Sequence, residues 1–199
     1  MKTAGKRAHA LGHPIVIDPV GVSGSSYRRE KCLELMKIIH PTCIRGNYSE
    51  IQALLHNCGT VTGVDAAGDA LAEAEETDLP ELMKQYAKEN QMILVASGEI
   101  DLITDGSCVY RCHNGSPMMA RITGSGCMST VMLGAFLSAE NSVESAVACC
   151  AFTGIAGELA AKEMTAQKRG TMTFRNWFID AVSLMTPEQL EHGTDVDWF

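Results

Sequence analysis

A surplus of positive charge is missing from this sequence: 16 Lys and Arg stand against 24 Asp and Glu, for a formal charge of −8. That balance excludes a general nucleic-acid binder, whose electrostatic footprint is basic. A phosphorylated ligand stays open, because it needs only local donors. Long apolar runs are missing too. Each is broken by Gly, Thr or a charge short of the ~20 residues that cross a bilayer, so no membrane span is expected. Residues 1–14 are basic without an apolar signal core, which argues against a secretory leader. No repeat, linker or low-complexity tract stands out, and the Walker sequence Gly-x-x-x-x-Gly-Lys-Ser/Thr is absent. The common P-loop solution to nucleotide binding is thereby excluded. What remains is a soluble, cytoplasmic globular protein, and 46% hydrophobic with 20% charged residues fits that class rather than disorder. At 199 residues the chain is expected to form a single domain.

Eight cysteines are present, but their spacing fails the usual metal templates. Cys108 and Cys112 are separated by three residues, and Cys149 and Cys150 are adjacent. Cys108, Cys112 and His113 could supply three zinc ligands, yet no second ligand pair with matching spacing follows. Most of the cysteines therefore read as reduced, small buried hydrophobes.

The chain alternates between strand and helix patterns. Residues 2–11 read as a helix with Gly12 as C-cap, followed by a buried strand at 14–17 that ends in Asp18-Pro19-Val20-Gly21. A Gly/Ser loop then leads into a helix whose apolar positions Cys32, Leu35, Met36 and Ile39 have helical spacing. A strand at 42–45, a helix at 48–57, an acid-rich loop at 59–78 and a helix at 79–89 follow. Strand 92–96 ends in Ser97-Gly98-Glu99, and a hairpin is expected across Asp105-Gly106. Apolar helices at 128–138 and 143–164 and a last helix at 174–185, closed by Pro187, complete the pattern. This alternation predicts an α/β fold with a mainly parallel central sheet flanked by helices. The chain opens in a helix with no strand before it, so a first strand and helix are expected to be absent.

Four short segments could carry chemistry. Gly124-Ser125-Gly126-Cys127 lies at a loop-to-helix junction, where successive N–H groups and the helix dipole make an anion site. Cys127 there is a candidate base or nucleophile; the plain alternative is a tight turn with Cys127 packed in the core. Asp18, just past a strand, suits a hydrated Mg²⁺ beside phosphates, or simply a turn. Asn47 and Glu50 have the spacing of a capping box, a role compatible with holding metal-bound water, and Arg45 offers a fixed positive charge to phosphate. Ser97-Gly98-Glu99 can present a hydroxyl and a main-chain N–H to a nucleotide.

Together these residues resemble the hydroxyethylthiazole kinase family, a thiamine-pathway branch of the ribokinase-like superfamily. The matching blocks are Gly12-His13-Pro14 through Asp18-Pro19-Val20-Gly21, Ile44-Arg45-Gly46-Asn47 through Ser49-Glu50-Ile51, Ser97-Gly98-Glu99 through Asp105-Gly106, and Thr123-Gly124-Ser125-Gly126-Cys127. They run in family order over essentially the whole chain. The resemblance implies a ribokinase-like fold and transfer of the ATP γ-phosphate to the primary alcohol of 4-methyl-5-(2-hydroxyethyl)thiazole. It implies that Asp18 and Glu50 organise Mg²⁺ largely through water and that Arg45 and Ser97 contact ATP. Gly124 would lie against the thiazole, the Gly124, Ser125, Gly126 and Cys127 amides would form an anion hole, and Cys127 would occupy the position of the superfamily base. It also implies a homotrimer with substrate pockets between subunits, and an N-terminal region ahead of Met1 that completes the thiazole pocket. The alternatives are a kinase for another vitamin-precursor alcohol, and a catalytically weak fragment that binds nucleotide or assembles with homologues.

Overall fold

In the computed structural model, which describes residues 1–56 and 79–199, the chain opens with α1 (Lys2–Ala10). The helix stops where Gly12 takes a φ of 69°. The Gly12 N–H then bonds to His9 O and the His13 N–H reaches back to Ala8 O, each at 3.0 Å. These are the paired bonds of a Schellman turn. The backbone divides into two compact units, Met1–Ala96 with Thr104–Val109, and Ser97–Ile103 with Tyr110–Phe199.

In the first unit, β1 (Val16–Ile17) runs parallel to β2 (Cys43–Asn47), with Val16 opposite Cys43 and Ile17 opposite Ile44. The crossover between them is α2 (Ser26–Ile39), which buries Leu35, Met36 and Ile39 of the expected apolar stripe. Then come α3 (Tyr48–Leu55), α4 (Leu79–Asn90) and β3 (Ile93–Ser97). The first four residues of β2 and of β3 are all buried, as in strands covered on both faces. The acid-rich segment 59–78 lies outside the described residues.

The second unit holds most of β4 (Asp101–Thr104) and of β5 (Val109–Cys112), neighbours in the sheet that flank the turn at Asp105-Gly106. A 3-10 turn (Pro117–Arg121) leads to α5 (Ser125–Ala139), α6 (Val143–Ala166) and α7 (Thr171–Leu184). Ile122, Ala156, Ala160, Phe174 and Phe178 form the core between these helices, with Met118, Met119 and Met128 packed against it. By length and composition α6 could cross a membrane, but 61% of its most apolar window is buried inside the protein, as in a core helix.

Two elements at the end of the chain depart from the sequence pattern. Pro187 stands just past the end of α7, as expected, and it also opens a further helix, α8 (Pro187–Gly193). Thr186 caps that helix, accepting from the Gln189 N–H at 3.3 Å while Gln189 Oε1 accepts from the Thr186 N–H at 2.9 Å. Proline is tolerated at the first helical position because its missing N–H would have had no partner there. Beyond α8, β6 (Val196–Trp198) pairs antiparallel with β5, placing Arg111 opposite Asp197. Asn114, 9% exposed, pins this tail. Its Nδ2 donates to Gly193 O at 2.8 Å and to Glu158 Oε1 at 3.1 Å, and its Oδ1 accepts from the Asp195 N–H at 2.8 Å. Of the residues weighed as zinc ligands, Cys112 is buried and His113 pairs with Asp197 at 2.9 Å.

Candidate active site

The parallel ladder brings the candidate residues of the first unit to one strand edge. Its last pair is Ile17 opposite Ile44, so one further step places Asp18 beside Arg45. Asp18 is half-buried and Arg45 is buried. Gly46 follows, and here a side chain has no room. A Cβ would lie 3.1 Å from Pro19 Cγ, 3.2 Å from Glu50 Cβ and 3.3 Å from Glu50 Oε2. The missing side chain is what lets the β1 turn close onto the start of α3.

Glu50 ties the two segments together. Its Oε2 accepts from the Asn47 N–H at 3.0 Å, while Asn47 Oδ1 accepts from the Glu50 N–H at 2.9 Å. The capping box expected from the sequence is therefore complete. The sequence did not disclose the other oxygen's partner: Glu50 Oε1 accepts from the Gly21 N–H at 2.7 Å. One buried carboxylate, 9% exposed, thus satisfies a helix N-terminus and the loop after β1. A carboxylate oxygen accepting a single N–H keeps a second lone pair, so capping leaves room for a hydrated cation. Oxygen donors of this kind match the hard ligands Mg²⁺ takes.

The second unit carries its own residues. Ser97 ends β3, and the turn after it is held by the Gly98 N–H donating to Asp101 Oδ1 at 3.0 Å. At the start of α5, Gly124 occupies the N-cap with φ 96° and ψ −2°. L-residues avoid that region because Cβ crowds the backbone. No atom lies within 4 Å of where a Cβ on Gly124 would stand, so backbone conformation rather than space demands glycine. The first α-helical bond formed here runs from the Met128 N–H to Gly124 O at 2.9 Å. The Ser125, Gly126 and Cys127 N–H groups therefore belong to the first turn of the helix, at the positive end of its dipole. Cys127 is exposed, whereas Cys43, Cys112, Cys149 and Cys150 are buried. Burial raises the Cys112 thiol pKa to about 12, so that thiol stays neutral. The packed-core alternative for Cys127 thus loses its premise.

Ser125 has a role that its place in a glycine turn did not suggest. Its Oγ donates to Met119 O at 2.8 Å, fastening the 3-10 turn to the head of α5. Serine at the first helical position after a glycine N-cap was the available signal, since its hydroxyl commonly seeks nearby backbone.

A model of the hydroxyethylthiazole kinase family matches residues 1–188. The chain belongs to the hydroxyethylthiazole kinase family. It is 36% identical over 194 residues to a hydroxyethylthiazole kinase of Clostridium acetobutylicum, covering 96% of this chain and 71% of that protein. A hydroxyethylthiazole kinase of Methanosphaera stadtmanae is 38% identical over 190 residues, covering 92% of this chain and 67% of the other. The structure of hydroxyethylthiazole kinase from Pyrococcus horikoshii OT3 superposes with a TM-score of 0.82 at 26% identity, over 99% of this chain and 70% of that one. The α/β fold is therefore that of a hydroxyethylthiazole kinase, and the family is one of phosphotransferases. The tail strand β6 lies beyond the residues that the family model matches.

Proposed function

We propose that this chain phosphorylates the primary alcohol of 4-methyl-5-(2-hydroxyethyl)thiazole in thiamine biosynthesis, with ATP as co-substrate, and that the residues gathered above divide the work. Membership of the family supports the reaction. The observation that carries the residue assignment is the Gly124 turn, whose left-handed glycine opens α5 with an exposed Cys127 in its first turn.

The alcohol oxygen attacks the γ-phosphorus. A new P–O bond forms as the bond to the β–γ bridging oxygen breaks, and ADP leaves. Charge spreads over the three equatorial phosphoryl oxygens in such transfers, so alignment and neutralisation matter more than covalent help. The amides from Gly124 to Cys127 meet that charge, and Gly124 lies against the thiazole. Cys127 takes the hydroxyl proton; a loose transition state requires little deprotonation early, so this residue assists rather than dominates. Arg45 holds an ATP phosphate and Ser97 contacts the nucleotide. Asp18 and Glu50 would hold Mg²⁺, largely through water, and the ion would supply positive charge to neutralise the phosphates. Two carboxylates with water and phosphates are the usual complement for Mg²⁺ rather than an all-protein cage. The reading also takes the chain to work as one kinase domain, in a cytoplasmic homotrimer.

Steady-state ADP release with and without the thiazole alcohol tests this function. Release that depends on the alcohol, falls in Cys127→Ala and largely returns in Cys127→Asp is the expected result. Equal release without the alcohol, or full turnover in Cys127→Ala, overturns the assignment. Sedimentation of the purified chain decides the trimer.

A further inference from the structure

The loop after β1 is held in an unusual way: three successive residues each have a backbone group taken by a charged side chain from outside the loop. Arg28 Nη1 donates to Val20 O at 3.3 Å, Glu50 Oε1 accepts from the Gly21 N–H at 2.7 Å, and Arg29 Nε donates to Val22 O at 3.1 Å. The loop adds one bond of its own, from the Val22 N–H to Pro19 O at 3.2 Å, and buries Val22. Gly21 has a φ of 73°, and a Cβ there would stand 2.8 Å from Arg28 Nη1. The glycine therefore serves both the turn and the approach of the guanidinium.

Both arginines lie in the first turns of α2, just after its N-cap Ser25. That end of a helix carries the positive pole of the dipole and disfavours cations. Helix stability alone does not call for Arg28 and Arg29, whereas two guanidinium donors aimed at loop carbonyls account for both. Guanidinium geometry is fixed and its hydrogen bonds are charge-assisted, so the loop is given one conformation. Asp18 begins the turn that this clasp closes.

We infer that Arg28 and Arg29 are positioning residues for Asp18. By holding Val20 and Val22 while Glu50 holds Gly21, they keep the Asp18 carboxylate at the strand edge it shares with Arg45 and Glu50. Neither arginine touches substrate in this account; each acts through the loop. The inference rests on the metal role proposed for Asp18, and its effect belongs on the Mg²⁺ and ATP side of the kinetics rather than the alcohol side.

The test is a set of initial-rate titrations of Mg²⁺ and of the thiazole alcohol on Arg29→Met, Arg28→Met, Arg29→Lys and Asp18→Asn, with a thermal melt of each. In Arg29→Met the apparent Mg²⁺ constant rises about tenfold, the size expected from losing one charge-assisted hydrogen bond. The KM for the alcohol stays unchanged, and Arg29→Lys recovers part of the loss. Arg28 is exposed, so Arg28→Met keeps the test open if Arg29→Met does not fold, with a shift in the same direction. A normal Mg²⁺ profile in the folded Met variants beside a collapsed one in Asp18→Asn overturns the clasp alone. Normal profiles in Asp18→Asn and the Met variants together overturn the metal assignment and the clasp with it. An equal rise in both constants marks general loosening and also overturns the inference.

Discussion

Replacing Glu50 by Gln separates the two roles this residue has been given. The carboxylate accepts from Gly21 N–H at 2.7 Å and from Asn47 N–H at 3.0 Å. A glutamine offers one acceptor oxygen, so one of these donors then faces an NH₂ group. Losing one hydrogen bond to a charged acceptor costs about 1.5–3 kcal/mol, and removing a negative charge from a helix N-terminus adds roughly 0.3–1 kcal/mol. A total of about 2–4 kcal/mol is expected, or a fall in Tm of about 4–16 °C for a chain of this size. Against a typical stability of about 5–15 kcal/mol, that leaves most molecules folded at 25 °C. Unfolding therefore accounts for little of any large loss in rate. The assay pairs a thermal melt with ADP release over a Mg²⁺ titration. If Glu50→Gln melts lower yet reaches full kcat at saturating Mg²⁺, the charge is needed only for the cap and the loop. If it melts at the native temperature, the hydrogen-bond reasoning itself is wrong.

Gly124→Ala forces an L-residue into a left-handed N-cap, at a cost of about 1–2 kcal/mol, and turnover should fall much further than stability; unchanged kinetics would remove the turn from the site. Asn114→Ala strands Gly193 O and the Asp195 N–H, costing about 2–4 kcal/mol, and amide exchange at Asp195 and Asp197 should accelerate while that in α6 does not. Lys2 and then Lys31 lower the Glu34 pKa from 4.5 to about 2. Its folded-state value is depressed, so its contribution is present above about pH 4.5 and is lost as pH falls toward 2. Denaturation midpoints of the wild-type and Glu34→Gln chains should differ at pH 6 and converge near pH 2, with high salt shrinking the difference; a gap that persists at low pH would refute the pairing.

Local sequence determined the features that local energetics decides. The Gly12 stop, the Asn47–Glu50 capping box and the glycine turn before α5 each require particular residue types within a few positions, and each stands where the sequence placed it. The buried strand ends that carry Asp18, Arg45 and Ser97 were legible for the same reason, as short apolar runs closed by turn residues. The start of α8 was written in Thr186, Pro187 and Gln189 but was masked by reading the proline as a stop rather than a first helical residue. Tertiary structure alone decided the rest. Glu50 and Gly21 lie 29 positions apart, Asn114 and Asp195 lie 81 apart, and Arg111 and Asp197 lie 86 apart. Nothing in the residues themselves names those partners, because a buried carboxylate or amide is satisfied by any suitably placed backbone group. Which group reaches it depends on the crossover from β1 through α2 to β2, and on β6 returning to β5. Arg28 and Arg29 follow the same logic: in sequence they are two cations at the disfavoured end of a helix, and only the folded loop gives them acceptors.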